Sequence, residues 1–137
     1  MSNKTCTLRI NMSYSGPSDE SIVMPQVSRS IPYMSLSEGT LDIPVSTASA
    51  TSYSVPFGGI GVALTGGIIE NRTGQDLLVT INTNTSSAHL ASGGVFVLGE
   101  SQSAASLPVT SISLKTTATQ SATEAGYIGY RLFGDPA

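Results

Sequence analysis

Apolar and polar residues alternate one by one along much of this chain, and that period of two constrains its fold more than any other feature. Between Thr5 and Met12, the side chains of Cys6, Leu8, Ile10 and Met12 fall on one side of an extended backbone. Those of Thr5, Thr7, Arg9 and Asn11 fall on the other. Leu77, Val79 and Ile81 repeat the pattern, as do Leu41, Ile43 and Val45 against Asp42, Pro44 and Ser46. Successive side chains of a strand point to opposite faces, so these segments suit half-buried strands. The polar positions are mostly hydroxyls: 22 Ser and 15 Thr stand among 137 residues, beside only 6 Lys and Arg and 9 Asp and Glu. A surface helix solvates its outer face with long charged side chains, which are scarce here. Hydroxyls alternating with Val, Ile and Leu fit a pleated surface instead.

Turn residues cut the pattern into short pieces, spaced by roughly 10–14 residues as in sandwiches and barrels. Tyr14-Ser15-Gly16-Pro17 turns the chain, and residues 19–24 are expected to form the one helical turn before Pro25. Pro32 and Pro44 suggest edge strands, because proline cannot donate to a ladder. Residues 60–64 read as a short strand closed by Gly66-Gly67. Residues 82–87 read as a polar connector, and 99–106 as a surface loop. Two last strands are expected over 109–114 and 126–133, with the ladder ending at Gly134-Asp135-Pro136. The expected fold is all-β: a β-sandwich or jelly roll of about eight to ten short antiparallel strands, with an extended N-terminal arm. The length is that of one domain, residues 1–137.

Charge and cysteine usage narrow the function. Lys4, Arg9, Arg29, Arg72, Lys115 and Arg131 are scattered and the net charge is -3, so neither nucleic acid nor anionic lipid is an expected partner. No apolar run is long enough to cross a bilayer as a helix. Cys6 stands alone, which excludes an intramolecular disulfide, and its place in the alternation marks it as a small core residue. The opening Met-Ser-Asn-Lys-Thr has no basic segment before an apolar run, so synthesis in a reducing cytoplasm is expected. The sequons at Asn3, Asn11, Asn71 and Asn84 are those a Ser/Thr-rich chain acquires by chance.

No catalytic motif emerges. His89, the single histidine, sits in a polar connector with no carboxylate close in sequence, and reads as a surface or interface residue. The acids Asp19, Glu20, Glu38, Asp42, Glu70, Asp76, Glu100, Glu124 and Asp135 are read as lying in or beside turns, where such residues cap the backbone. Gly58-Gly59 and Gly66-Gly67 lack the Lys-Ser/Thr and the helix that a phosphate-cradling loop needs. They read as glycines for turns or close backbone approach. Tyr14, Tyr33, Tyr53, Tyr127 and Tyr130 suit core or interface packing, and Tyr127 and Tyr130 fall on opposite faces of one strand. The expectation is a non-enzyme with no catalytic, cofactor-binding or metal-ligating residues and no cofactor.

The stretch from Ile69 to Asn82, IENRTGQDLLVTIN, joins a strand ending in Asn, a Thr-Gly turn and an alternating strand ending in Asn. Leu90-Ala91-Ser92-Gly93-Gly94 then steps into Val95-Phe96-Val97, and Gly126–Asp135 closes the chain. Together these resemble small β-rich virion proteins of tailed bacteriophages over residues 66–135, leaving 1–65 as extra strands and an arm. The resemblance implies a structural virion protein that binds and stabilises the capsid lattice as a decoration or cement protein. Its implied partners are the major capsid protein or other virion proteins, and further copies of itself as a dimer or trimer. Alternatives are a tail tube, adaptor or baseplate component, and a lectin-like receptor-binding module using exposed tyrosines such as Tyr53.

Overall fold

The computed structural model describes residues 4–11, 13–15, 21–23, 26–82, 87–98 and 109–136. Twelve strands and no helix occur among them. In chain order they are β1 (Lys4–Ile10), β2 (Ser13–Ser15), β3 (Ser21–Val23), β4 (Val27–Tyr33), β5 (Ser35–Ile43) and β6 (Ser52–Ser54). Then follow β7 (Ile60–Arg72), β8 (Leu77–Ile81), β9 (Ala88–Leu90), β10 (Val95–Leu98), β11 (Ile112–Thr116) and β12 (Gly126–Pro136). Every pairing is antiparallel.

Eight of the strands form two four-stranded sheets, ordered β5-β12-β7-β10 and β6-β11-β8-β9. Numbered among themselves from β5 to β12, these orders become 1-8-3-6 and 2-7-4-5, the double Greek key of a jelly roll. The fold is therefore all-β and a jelly roll. Its core is the space between the sheets. Ile43, Ile69, Ile128 and Leu132 from one sheet meet Leu77, Val79, Ile112 and Leu114 from the other, all essentially without solvent contact. The alternation in the sequence supplies this core, because each of these strands turns every second side chain inward.

The four remaining strands build the N-terminal arm. β1 pairs with β4 from Lys4↔Tyr33 to Ile10↔Val27, and β2 pairs with β3 from Ser13↔Val23 to Ser15↔Ser21. The expected helical turn over 19–24 is thus corrected: Ser21, Ile22 and Val23 are strand. Their β-branched pair satisfies its backbone across the ribbon rather than along a helix.

Three other expectations change. β7 runs unbroken for 13 residues through Gly66-Gly67, which close nothing. A Cβ on Gly67 would lie 2.7 Å from the Arg131 carbonyl oxygen and 2.7 Å from Leu132 Cδ2. That glycine admits β12 at close range instead of bending the chain. The ladder of β12 does not end at Gly134 but continues to Pro136↔Ile60, with register shifts at Phe133/Gly134 and Asp135/Pro136. The strand expected over 109–114 is β11, Ile112–Thr116. Pro44 follows the end of β5, which is an edge strand as its proline suggested. The expected loop over 99–106 lies outside the described residues.

Asn71 pins the turns at one end of the sandwich. Its side-chain oxygen accepts from the Thr73 N–H at 3.0 Å and the Thr73 hydroxyl at 2.7 Å. Its amide nitrogen donates toward the carbonyls of Gln75 (2.8 Å), Leu90 (2.9 Å) and Ala91 (3.1 Å). Asn82 closes β8 in a similar way. It adopts a φ of 57°, and its side-chain oxygen accepts from the N–H groups of Thr110 at 2.8 Å and Ser111 at 3.3 Å. The two asparagines of the 69–82 stretch are therefore structural pins.

Candidate interaction surface

With Ile69, Asn71, Ile128 and Leu132 turned inward, the β5-β12-β7-β10 sheet must present their neighbours outward. The outer face reads Val97, Ile68, Arg131 and Glu38 in one row of paired positions, and Val95, Glu70, Gly129 and Thr40 in the next. Gly129 has no side chain to fill its place, so a shallow groove of about 600 Å³ opens above it. Its walls are Glu38, Thr40, Ile68, Glu70, Tyr127 and Arg131. Arg131 Nε stands 2.8 Å from Glu38 Oε2, and Arg72 is paired with Glu70. Both pairs are solvent-exposed, so each contributes little to stability, but together they leave the groove electrically balanced.

Beside the groove lies the landing site of the ribbon. Directly opposed residues of an antiparallel pair share a face, so Lys4 and Tyr33, Cys6 and Ile31, Leu8 and Arg29, and Ile10 and Val27 hold positions on one side of the β1–β4 ribbon. Thr5, Thr7, Arg9, Ser28, Ser30 and Pro32 line the other side, and all six are exposed. This side, which carries the apolar stripe Cys6, Leu8, Ile10, Val27 and Ile31, faces the sheet. Ile31 is 1% exposed although it belongs to the ribbon and not to the core between the sheets. Tyr33 packs on Phe133 with ring centroids 4.9 Å apart and planes tilted by 59°. A small, mostly apolar cavity of about 160 Å³ remains between Cys6, Leu8 and Ile31 above and Gly67, Ile68, Arg131 and Phe133 below.

The apolar stripe does not stop where the body does. Burial falls along it, from Ile31 at 1% exposed through half-buried Cys6 and Leu8 to Ile10 at 36% and Val27 at 44%. On the sheet, Val95 and Val97 of edge strand β10 stay 49% and 37% exposed, with Ile68 beside them at 37%.

The residues singled out in the sequence are dispersed. His89 is exposed on β9, an edge strand, opposite Leu78. Among the described residues no three His, Cys, Asp or Glu side chains gather where they could hold a metal ion. The reading of the acids as turn residues is corrected for four of them: Glu38 and Asp42 lie within β5, Glu70 within β7 and Asp135 within β12. On an outer sheet face a carboxylate is solvated without a turn. Asp76 does sit at a turn and accepts the Ser92 N–H at 3.2 Å. Asp19, Glu20 and Glu100 lie outside the described residues. Gly58 turns the chain at a φ of 55°. Tyr53 and Tyr130 pack half-buried against the core, which leaves Tyr127 as the tyrosine exposed on the outer face. The side chain of Tyr14 lies outside the described set. Asn71, one of the sequons, is fully buried and so closed to a glycan. The groove itself escaped the sequence reading. Its only trace there is a glycine between two outward positions of a strand, Tyr127-Ile128-Gly129-Tyr130-Arg131.

No family model matches the chain, and no curated protein matches it. Among solved structures, the cupin domain of Schizosaccharomyces pombe Cnp3 aligns with 93% of this chain and 88% of its own, at 12% identity and a TM-score of 0.41.

Proposed function

We propose that this chain is a structural virion protein that binds and stabilises a phage capsid lattice as a decoration protein. The observation that carries the reading is the amphipathic ribbon. Its apolar stripe is buried at Ile31 and then runs on into solvent at Ile10 and Val27. An arm of this kind is suited to lapping onto a neighbouring protein. The jelly roll agrees with the reading without deciding it, since shell proteins, lectins and cupins all use that architecture. Bound copies would act by linkage, adding free energy only to the assembled shell. At a free concentration of one hundred times the dissociation constant, each site gains about 2.7 kcal/mol.

The test is to mix purified protein with undecorated shells. Decoration raises the temperature at which the shells disrupt, and Ile10→Asp with Val27→Asp abolishes binding. With few charges on the chain, binding is expected to change little as salt rises, unlike an electrostatic association. Shells that neither bind the protein nor gain stability end this reading. Copy number then separates a shell protein, present in hundreds, from a tail component present as one ring.

A second reading has its own support. Tyr127, 43% exposed, stands beside the Gly129 floor with Glu38, Glu70 and Arg131 around it. An aromatic face beside carboxylates and guanidinium donors suits a sugar ring, so a lectin-like module would bind there and not at half-buried Tyr53. Glycan-array binding that disappears in Tyr127→Ala would favour this module over the decoration protein.

A further inference from the structure

We propose that the ribbon of each copy docks on the outer sheet face of a second copy, seating Ile10 and Val27 against Val95, Val97 and Ile68. This deepens the assembly reading above by naming the partner, a second copy of this chain, and the contact surface. The argument begins from a contact that the chain already makes within itself. The ribbon face bearing Cys6, Leu8 and Ile31 lies on the sheet face bearing Gly67, Ile68, Arg131 and Phe133. Both surfaces overrun that contact. The ribbon continues to the directly opposed pair Ile10↔Val27, and the sheet continues across Ile68↔Val97 to the β10 edge.

The two overruns match in chemistry. Ile10, Val27, Val95 and Val97 are all uncharged, whereas the groove on the other side of Ile68 is walled by Glu38 and Glu70, with Arg131 shared between the groove and the ribbon's own contact. The Ile10–Val27 end laid over that groove would cover Glu38, Glu70 and Arg131 together, whereas laid over β10 it meets Val95 and Val97 with Glu70 only at its border. The ribbon's other face is hydroxyl-bearing and remains in water when the apolar face docks. Exchanged reciprocally between two copies, the contact makes an isologous two-fold dimer; passed head to tail it is heterologous and closes as a small ring.

The test uses disulfide trapping in a Cys6→Ala background, where no other cysteine exists. Ile10→Cys and Val97→Cys are made in separate chains, both at exposed positions that a folded protein tolerates. The two are mixed and mildly oxidised. The mixed Ile10→Cys/Val97→Cys dimer is expected to dominate over both self-dimers. Dominance of the Ile10→Cys self-dimer would overturn the proposal, because it would mean ribbon against ribbon. Cross-linking no greater than with Ser121→Cys, an exposed control site, would overturn it as well. In sedimentation the unmodified protein is oligomeric, and Val97→Asp weakens association by about tenfold or more. Shell binding distinguishes the two failures. A monomer that decorates shells sinks the docking contact alone, and a ribbon-linked oligomer that ignores shells sinks the decoration reading alone.

Discussion

Asn71 makes five hydrogen bonds from a side chain with no exposed surface, so it shows what a single polar residue contributes to this fold. Replacing it with Ala removes the partner of the buried Thr73 N–H and a donor to the Leu90 carbonyl, while the Ala91 carbonyl keeps the Gly94 N–H. Asn71→Ala is expected to lower unfolding free energy by about 3 kcal/mol in chemical denaturation. Asn71→Asp does not recover the loss at neutral pH, because a carboxylate keeps the acceptor and offers no donor to the three carbonyls. A loss under about 1 kcal/mol in both variants would show that water replaces the side chain. Two glycines separate strain from crowding. Gly74 has a φ of 81° and open space around it, so Gly74→Ala meets only the left-handed penalty of about 1 kcal/mol. Gly67→Ala drives a methyl against the Arg131 carbonyl oxygen and is expected to be the more damaging, by up to about 3 kcal/mol. Equal melting temperatures for the two alanine variants would refute the close-approach account of β7.

At the level of elements, the ribbon and the sandwich are held by separate sets of contacts. Among the described residues, none before Leu41 belongs to or packs against the buried cluster between the sheets. Deleting residues 1–33 is therefore expected to leave a cooperative jelly roll. Its stability falls by about 2–4 kcal/mol for the burial of Ile31 and the Tyr33–Phe133 pair. A shortened chain that binds hydrophobic dye and loses its sharp melt would show instead that the ribbon is part of the core. This division explains what was legible beforehand. The alternation at Cys6-Leu8-Ile10 and at Leu77-Val79-Ile81 is local, and each stretch is a strand, β1 and β8. Pairing order is not local. Whether Gly66-Gly67 ends a strand or admits another depends on β12, more than fifty residues away in sequence. The same holds for the outer face: that Gly129 opposes Glu70 and Thr40, and so floors a groove, follows only from register. The stretch 66–135 that carries the resemblance begins inside β7, a strand that forms through pairing and not through the local motif.

For the whole molecule, topology makes an order of events. The first strand of the sandwich, β5, pairs with its last, β12, so Leu36 must find Phe133 before that sheet is complete. Nonlocal pairing of this kind carries a large loop-closure penalty, and refolding from denaturant is expected in milliseconds to seconds, not microseconds. The ribbon must come later still. Its landing site is made jointly by Gly67 of β7 and Phe133 of β12, which become neighbours only when those two strands have paired. A contact formed after the rate-limiting step leaves the folding rate alone and appears in unfolding. Ile31→Ala is thus expected to destabilise by about 2–4 kcal/mol, with nearly all of that change in the unfolding limb of a stopped-flow chevron. Leu132→Ala removes a fully buried side chain at the β7–β12 pairing and should slow refolding as well. If Ile31→Ala slowed refolding as strongly as Leu132→Ala, ribbon and sheet would form together. The ribbon would then be an integral part of the sandwich and not an arm laid on a finished body.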